Sequence, residues 1–421
     1  MSDLIADLSY RGLIYQATDL EGLSARLAKG PITLYIGFDP TADSLHIGSL
    51  LQILLLRRFQ LAGHCPIGVV GGGTGLIGDP SGKSQERQLN DVEVVQEWTD
   101  SIRSQVGRYL DFDSSRNAAR IVSNYDWLAD LKLVPFLREI GKHFSVNQML
   151  AKESVSARLA TGISYTEFSY MTLQAFDFLH LLRTLGAELQ CGGSDQWGNI
   201  TAGADLIRRV TGETAYGLTL PLITTADGKK YGKTEAGTIW LDPELTSPYR
   251  FYQFWMQSDD AEVIPLLKAF TFLPAEEIER LAAEVAERPS ERAAQRRLAA
   301  EVTDLVHGPE AAASAAKVSQ ALFYGRVSDL NPAELALGLN DVPSYELQAA
   351  GPVGLVELLV RAGVSNSKRQ ARHDIQNGAI SVNDARVTEP GRIVTPDERL
   401  AGRYVVVRRG KNNYFLIDWR I

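Results

Sequence analysis

The chain has 421 residues, 45% of them hydrophobic, and a formal net charge of -8, so two or three ordinary globular domains are expected rather than disorder. No stretch approaches the roughly 18 uninterrupted apolar residues of a membrane-spanning helix. The acidic total argues against indiscriminate nucleic-acid binding, yet Gly351 to Ile421 carries 12 Lys or Arg against 7 Asp or Glu, net +5, and leaves -13 on the preceding 350 residues.

The first residues, MSDLIADLSYRG, have neither the basic start nor the apolar run of a secretory signal, and a cytoplasmic location is expected. After that helical stretch, Pro31 to Phe38 reads as a buried strand. Leu45 to Leu61 reads as a leucine-rich helix closed by Gly63, and Pro66 to Val70 as the next strand. Strand, helix and strand with short connections predict a parallel βαβ unit whose ligand crevice lies at the carboxyl ends of the strands. Ala187 to Cys191 and Leu218 to Thr224 extend that pattern. The fold class expected is α/β, a Rossmann-like doubly wound parallel sheet over residues 1–242. A helical domain follows over 243–324, then a proline-containing linker over 325–352, then a small α+β unit over 353–421. Cys65 and Cys191 are far apart and lack metal-ligand spacing, which predicts buried free thiols rather than a disulfide or a zinc site.

Two glycine-rich strings are decoys. Gly73 to Gly78 fits GxGxxG, but Asp79-Pro80-Ser81-Gly82 breaks the chain where a dinucleotide fingerprint must open a helix. Gly78 to Ser84 is one residue short of a phosphate-cradling GxxxxGK[ST] loop. More informative is Asp39-Pro-Thr41-Ala-Asp-Ser44-Leu-His46-Ile-Gly48-Ser49, in which a strand ends and a helix begins, with Ser44 as the expected cap. His46 and Gly48 then sit at a helix start, where unpaired N–H groups favour a triphosphate. Nearly 190 residues on, Asp227-Gly-Lys229-Lys230-Tyr-Gly-Lys233-Thr234 is a glycine-flexed basic loop. It reads either as a solvated surface loop or as a lid that neutralises departing pyrophosphate. Tyr170, Gln174 and Asp177 are spaced by four and three and share one helix face. That face suits either solvent or a polar ligand. Gln190 to Asn199 empties a strand into glycines and an acid, as a ribose contact requires.

Together with Tyr35 and Asp79, these motifs resemble bacterial tyrosyl-tRNA synthetases over essentially the full length, with HIGS and KYGKT standing for the HIGH and KMSKS signatures of class I aminoacyl-tRNA synthetases. The resemblance implies a tyrosine–tRNA ligase, an enzyme that forms tyrosyl-adenylate from L-tyrosine and ATP and then charges tRNA(Tyr). Carried over by motif position, it implies Tyr35 and Asp177 on the phenolic hydroxyl of tyrosine. Asp79, Tyr170 and Gln174 would hold the ammonium group, and Gln196 would lie near the carboxylate. ATP binding would fall to Asp39, Thr41, His46, Gly48, Gly193, Asp195 and Lys233. His46, Lys83, Arg87, Lys230, Lys233 and Thr234 would act in catalysis by meeting phosphate charge, with magnesium expected on the ATP phosphates.

The chain departs from the family at Ser49, where a second histidine is usual, and at Ile36, where a cysteine is common. From Val353 it resembles an RNA-binding module shared with a small-subunit ribosomal protein. Its second, basic helix should begin near Ser365 or Ser367, and Lys368, Arg369, Arg372, Arg408 and Arg409 would contact RNA. The family also implies a homodimer, with Lys142 to Asn147 and Tyr165 near the interface. Competing readings are a non-catalytic RNA-binding protein on a synthetase scaffold, a tryptophanyl enzyme and a nucleotidyltransferase.

Overall fold

The computed structural model describes residues 4–81, 90–159, 162–224, 231–234, 237–323, 325–339, 342–410 and 413–420. The chain divides into two compact units, Met1–Leu245 with Ile264–Glu279, and Thr246–Val263 with Arg280–Ile421.

The first unit is built on six strands: β1 Gln16–Ala17, β2 Thr33–Phe38, β3 Cys65–Val70, β4 Arg120–Ser123, β5 Ala187–Gly193 and β6 Tyr216–Leu220. Their order is β1-β6-β5-β2-β3-β4, all parallel except the edge strand β1. The chain steps outward from β2 to β4, then crosses to the other side with β5. The direction therefore reverses between β2 and β5, the place where an open α/β sheet offers a crevice. The register shows how it opens. Tyr35 pairs with Gln190 and Ile36 with Cys191, after which β2 continues against β3 alone and β5 against β6 alone.

Leu34, Tyr35, Ile36 and Phe38 are all buried, as expected of a central parallel strand covered on both faces. The helices of this unit include α1 Ile47–Leu61, α2 Val92–Gly107, α3 Tyr165–Leu185 and α4 Trp197–Thr211. Ala175, Phe178 and Leu179 of α3 and Leu206 and Ile207 of α4 share one core cluster with Tyr35, Ile67 and Val69 of the sheet. Local signals bound α3: the Ser164 side chain accepts the Glu167 N–H at its start, and Gly186 closes it at φ 68°.

The segment Ile264–Glu279, read from sequence as part of the helical domain, belongs to the first unit. Arg11 donates to the carbonyls of Lys268, Thr271 and Leu273, and buried Arg58 donates to that of Thr271. These bonds span more than 200 residues, so no local pattern announces them.

The second unit contains α5 Pro248–Met256, α6 Ala293–His307, α7 Pro309–Phe323, α8 Pro332–Leu339, α9 Leu355–Arg361 and α10 Lys368–Gln376. Strands β7 Ser344–Gln348, β8 Ile380–Val382, β9 Ala385–Val387, β10 Tyr404–Arg409 and β11 Asn413–Arg420 form a sheet of order β9-β8-β10-β11-β7. The stretch 325–352, expected as a linker, instead holds α8 and β7, and β7 pairs parallel with β11. Leu335 and Leu339 of α8 join Val318 and Leu322 of α7 and Val406 and Leu416 of the sheet in one buried cluster. The prolines that suggested a linker punctuate elements instead. Pro332 is the first residue of α8, and Pro343 stands just before β7.

Both cysteines are free, Cys191 buried and Cys65 half-buried. Among the described residues no helix is long and apolar enough to cross a membrane.

Candidate active site

Tyr35, on β2, is buried, and among the described residues its hydroxyl has no hydrogen-bond partner. Burial and then the Asp177 charge push its phenol well above the usual range. Asp177, on α3, is itself buried, and its two oxygens are held from one side. The Asn124 amide donates to Oδ2 at 2.9 Å and the Trp127 indole N–H to Oδ1 at 2.7 Å. Burial raises its pKa to about 7 even though those two hydrogen bonds lower it. A buried acceptor and a buried unpaired hydroxyl thus lie near enough for the charge of one to act on the other, among apolar neighbours such as Phe178, whose ring lies edge-on to Tyr35 at 5.3 Å.

Around this pair further polar groups are chained together. The Tyr170 hydroxyl donates to Asp39 Oδ2 at 2.7 Å and Thr74 Oγ1 to Asp39 Oδ1 at 2.7 Å. Asp79 accepts from the Ser81 N–H at 2.9 Å and from Gln196 Nε2 at 2.7 Å, and Gln196 Oε1 accepts from Gln174 Nε2 at 3.3 Å. Gln174 Oε1 is buried without a donor among the described residues. An unpaired amide oxygen, the lone pairs of Tyr170 and the Asp79 carboxylate suit a buried ammonium group.

Asn124 ties the two halves, because its Nδ2 also donates to Thr74 Oγ1 at 2.9 Å. Gly71 makes room for this linkage: a Cβ there would stand 2.0 Å from Asp39 Oδ1 and 2.6 Å from Thr74 Oγ1. Thr74, Asn124, Trp127 and Asn199, whose amide reaches Asp79 Oδ1 at 3.4 Å, are the members of this network that sequence reasoning missed. Only their position after strand ends could have drawn attention to them.

The nucleotide side forms at the start of α1. His46, not Ser44, is the N-cap: its backbone is extended and its Nδ1 accepts the Gly48 N–H at 3.0 Å. Ser44 is buried, and its hydroxyl is turned onto the Leu45 carbonyl and Gln105. The glycine at 48 is required by this cap, since a Cβ would meet His46 Cε1 at 2.8 Å. The flank of the basic loop returns to the same place. The Leu241 N–H donates to the Leu45 carbonyl at 2.8 Å, and the rings of His46 and Trp240 lie 6.3 Å apart. The backbone of Lys233–Thr234 pairs with Gly237–Thr238 in a short antiparallel hairpin. Lys83, Arg87 and Lys230 lie outside the described residues.

Gly193 ends β5, so close to Asp195 that a Cβ would meet its Oδ1 at 2.8 Å. Thr41 and Asp195 are exposed. Ile36 is fully buried between β3 and β5. No group of three or more His, Cys, Asp or Glu side chains among the described residues is placed to hold a metal ion.

In the second unit, Ser367 caps α10 by accepting the Gln370 N–H, and Lys368, Arg369 and Arg372 are exposed along that helix. Arg408 lies 6.0 Å from the Tyr414 ring. Arg409 is engaged inside the fold, donating to the Val364 carbonyl at 2.9 Å and pairing with Asp374 at 3.0 Å.

The family model for class I tRNA synthetases of the W and Y type matches residues 27–324, and the model of the tyrosine–tRNA ligase C-terminal domain matches residues 334–417. The chain is 60% identical to the tyrosine–tRNA ligase of Bacillus caldotenax over 99% of its own length and all of that protein's. It is 55% identical to tyrosine–tRNA ligase 1 of Bacillus subtilis over the whole of both. The chain belongs to the class I tyrosyl-tRNA synthetases. Among solved members, the C-terminally truncated mitochondrial tyrosyl-tRNA synthetase of Aspergillus nidulans superposes with a TM-score of 0.70 at 29% identity, covering 77% of this chain and 95% of that one. As a tyrosyl-tRNA synthetase the chain has its C-terminal family match beginning inside α8, which agrees with α8 and β7 being part of a folded unit.

Proposed function

We propose that the crevice between β2 and β5 activates L-tyrosine with ATP, releasing pyrophosphate, and that the tyrosyl group then passes to the 3′ end of tRNA(Tyr). The observation that carries this reading is the buried polar pair in which the Tyr35 hydroxyl lacks a partner among the described residues and the Asp177 carboxylate is held by Asn124 and Trp127. A phenolic hydroxyl satisfies both groups at once. Phenylalanine would leave the buried Tyr35 hydroxyl without a partner and the Asp177 carboxylate with only its Asn124 and Trp127 donors, at a cost of roughly 1–3 kcal/mol for the unmet hydroxyl.

The substrate ammonium sits among Asp79, Tyr170 and the Gln174 amide oxygen, with Gln196 toward the carboxylate. That carboxylate is already ionised and attacks the α-phosphorus of ATP without a general base. The protein's contribution is position and charge. His46 at the head of α1 meets the phosphates, and Asp39, Thr41, Gly48, Gly193 and Asp195 hold the nucleotide and its ribose. Lys83, Arg87, Lys230, Lys233 and Thr234 act on the pyrophosphate as it leaves. Magnesium enters with the phosphates of ATP and neutralises part of their charge. The basic face of α10, with Arg408, contacts the tRNA backbone. The enzyme works as a cytoplasmic homodimer, a reading supported by the exposed apolar Val146 and Tyr165.

ATP–pyrophosphate exchange without tRNA, with tyrosine, phenylalanine and tryptophan supplied separately, tests the central claim. Exchange with tyrosine alone is expected. Exchange with none of the three, or equally with all, would remove the assignment of the pocket.

A further inference from the structure

The Asp177 carboxylate depends on Trp127, and Trp127 has a second partner on the helix that bears Asp177. His180 lies three residues beyond Asp177 on α3, hence on a neighbouring part of the same face. Its imidazole stacks on the Trp127 indole with ring centroids 4.5 Å apart and planes at 15°. One helix therefore holds the indole at two points, through a hydrogen bond at its edge and a ring against its face. We propose that His180 is a positioning residue for tyrosine selection, fixing the plane of the Trp127 indole so that its N–H stays on Asp177 Oδ1. The inference rests on Asp177 being the partner of the substrate phenol.

The local geometry makes such a clamp necessary. Trp127 sits on a helical segment of only four residues, Tyr125–Leu128, and is half-buried. Its N–H reaches Asp177 at 2.7 Å only while the ring plane is held. A flat partner restrains rotation of that plane, whereas an aliphatic side chain of similar volume would fill the space without fixing the angle. The clamp continues outward, with the Phe176 ring tilted against His180 at 6.2 Å and the Phe136 ring edge-on to Phe176 at 5.8 Å. Burial lowers the His180 pKa, which keeps the imidazole neutral against the indole near neutral pH. Asn124 fixes the other oxygen, Asp177 Oδ2. Losing the indole leaves the carboxylate anchored through one oxygen and free to swing away from the phenol.

The test is tyrosine-dependent ATP–pyrophosphate exchange with the full-length enzyme and its variants His180→Ala, His180→Phe and Asp177→Asn. For His180→Ala the KM for tyrosine should rise about three- to tenfold, the span expected for one aromatic pair, with kcat and the KM for ATP unchanged. Preference for tyrosine over phenylalanine should narrow by the same factor. His180→Phe, which keeps a flat face, should restore the parent values. The inference is overturned if His180→Ala behaves as the parent, if His180→Phe is as impaired as His180→Ala, or if the KM values for tyrosine and ATP rise together. Asp177→Asn separates the two levels. If it keeps the preference for tyrosine, the reading of the phenol pocket fails and takes this inference with it. If it loses that preference while His180→Ala does not, only the role of His180 falls.

Discussion

At Asp177, burial and the proposed role as phenol acceptor make opposite demands. Burial favours the neutral acid and raises the pKa to about 7, while the Asn124 and Trp127 donors favour the anion. In the proposed pocket a tyrosine phenol needs an acceptor, which only the anion supplies in full. Tyrosine affinity in the absence of ATP should therefore weaken as pH falls below about 7, approaching tenfold per pH unit, as equilibrium dialysis would measure. A flat profile from pH 8 to 5.5 would contradict the pairing of phenol and Asp177. The same shift has a consequence for stability. A carboxyl whose pKa is higher folded than unfolded favours the fold when protonated. That contribution is complete below the unfolded value of about 4 and is lost as pH rises through about 7. The variant Asp177→Asn should accordingly gain melting temperature relative to the parent as pH is raised from 5 to 8. A constant difference across that range would show that Asp177 does not titrate there. That Tyr170, Gln174 and Asp177 share one face was legible beforehand because helical spacing aligns them, whereas the burial of Tyr170 and Asp177 was not, since a solvent-facing stripe has the same spacing. Asn124 and Trp127 were not, because each reaches Asp177 across at least 50 residues of chain.

At the scale of elements, the proposed function gives the head of α1 a structural and a chemical duty in one side chain, His46. Sequence placed the cap at Ser44, the residue type that most often serves. Ser44 instead faces Gln105, and the cap falls to His46. Substituting His46 should then have two separable effects. His46→Ala should cost about 1 kcal/mol of stability through loss of the cap. His46→Asn, which retains a cap acceptor, should melt close to the parent, yet both variants should lose adenylate formation by a similar factor of about ten or more. Equal melting of parent and both variants would remove the capping role, and full exchange activity in His46→Asn would remove the catalytic one. The parallel strands were readable as buried apolar runs. The crevice between them depends on which strands stay paired beyond Ile36 and Cys191, and on a doubly wound strand order that follows from connection handedness rather than from any single motif. The supposed linker failed as a reading for a related reason. Pro332 and Pro343 look like breakers locally, and only the packing of Leu335 and Leu339 against Val406 and Leu416 reveals an element between them.

At the scale of the whole molecule, charge separates by region: the last 71 residues are basic and the remainder strongly acidic. A basic surface on an acidic protein attracts a polyanion locally while the bulk of the chain repels it, so binding should be oriented as well as salt-dependent. Within the basic region the arginines divide into two kinds. Arg409 is bound into the fold by Val364 and Asp374, and Arg409→Ala, which leaves the buried Asp374 carboxylate without its guanidinium and with the Ser365 hydroxyl as donor, should lower stability by roughly 1–3 kcal/mol. Lys368, Arg369 and Arg372 are exposed on α10 and available to phosphate. Replacing those three by alanine should leave melting and tyrosine-dependent exchange unchanged, weaken tRNA binding, and reduce the slope of log affinity against log salt by about two to three. The slope is the decisive reading, because a distorted module would lose affinity without a proportionate loss of salt dependence. An unchanged slope would place the phosphate contacts elsewhere on the chain.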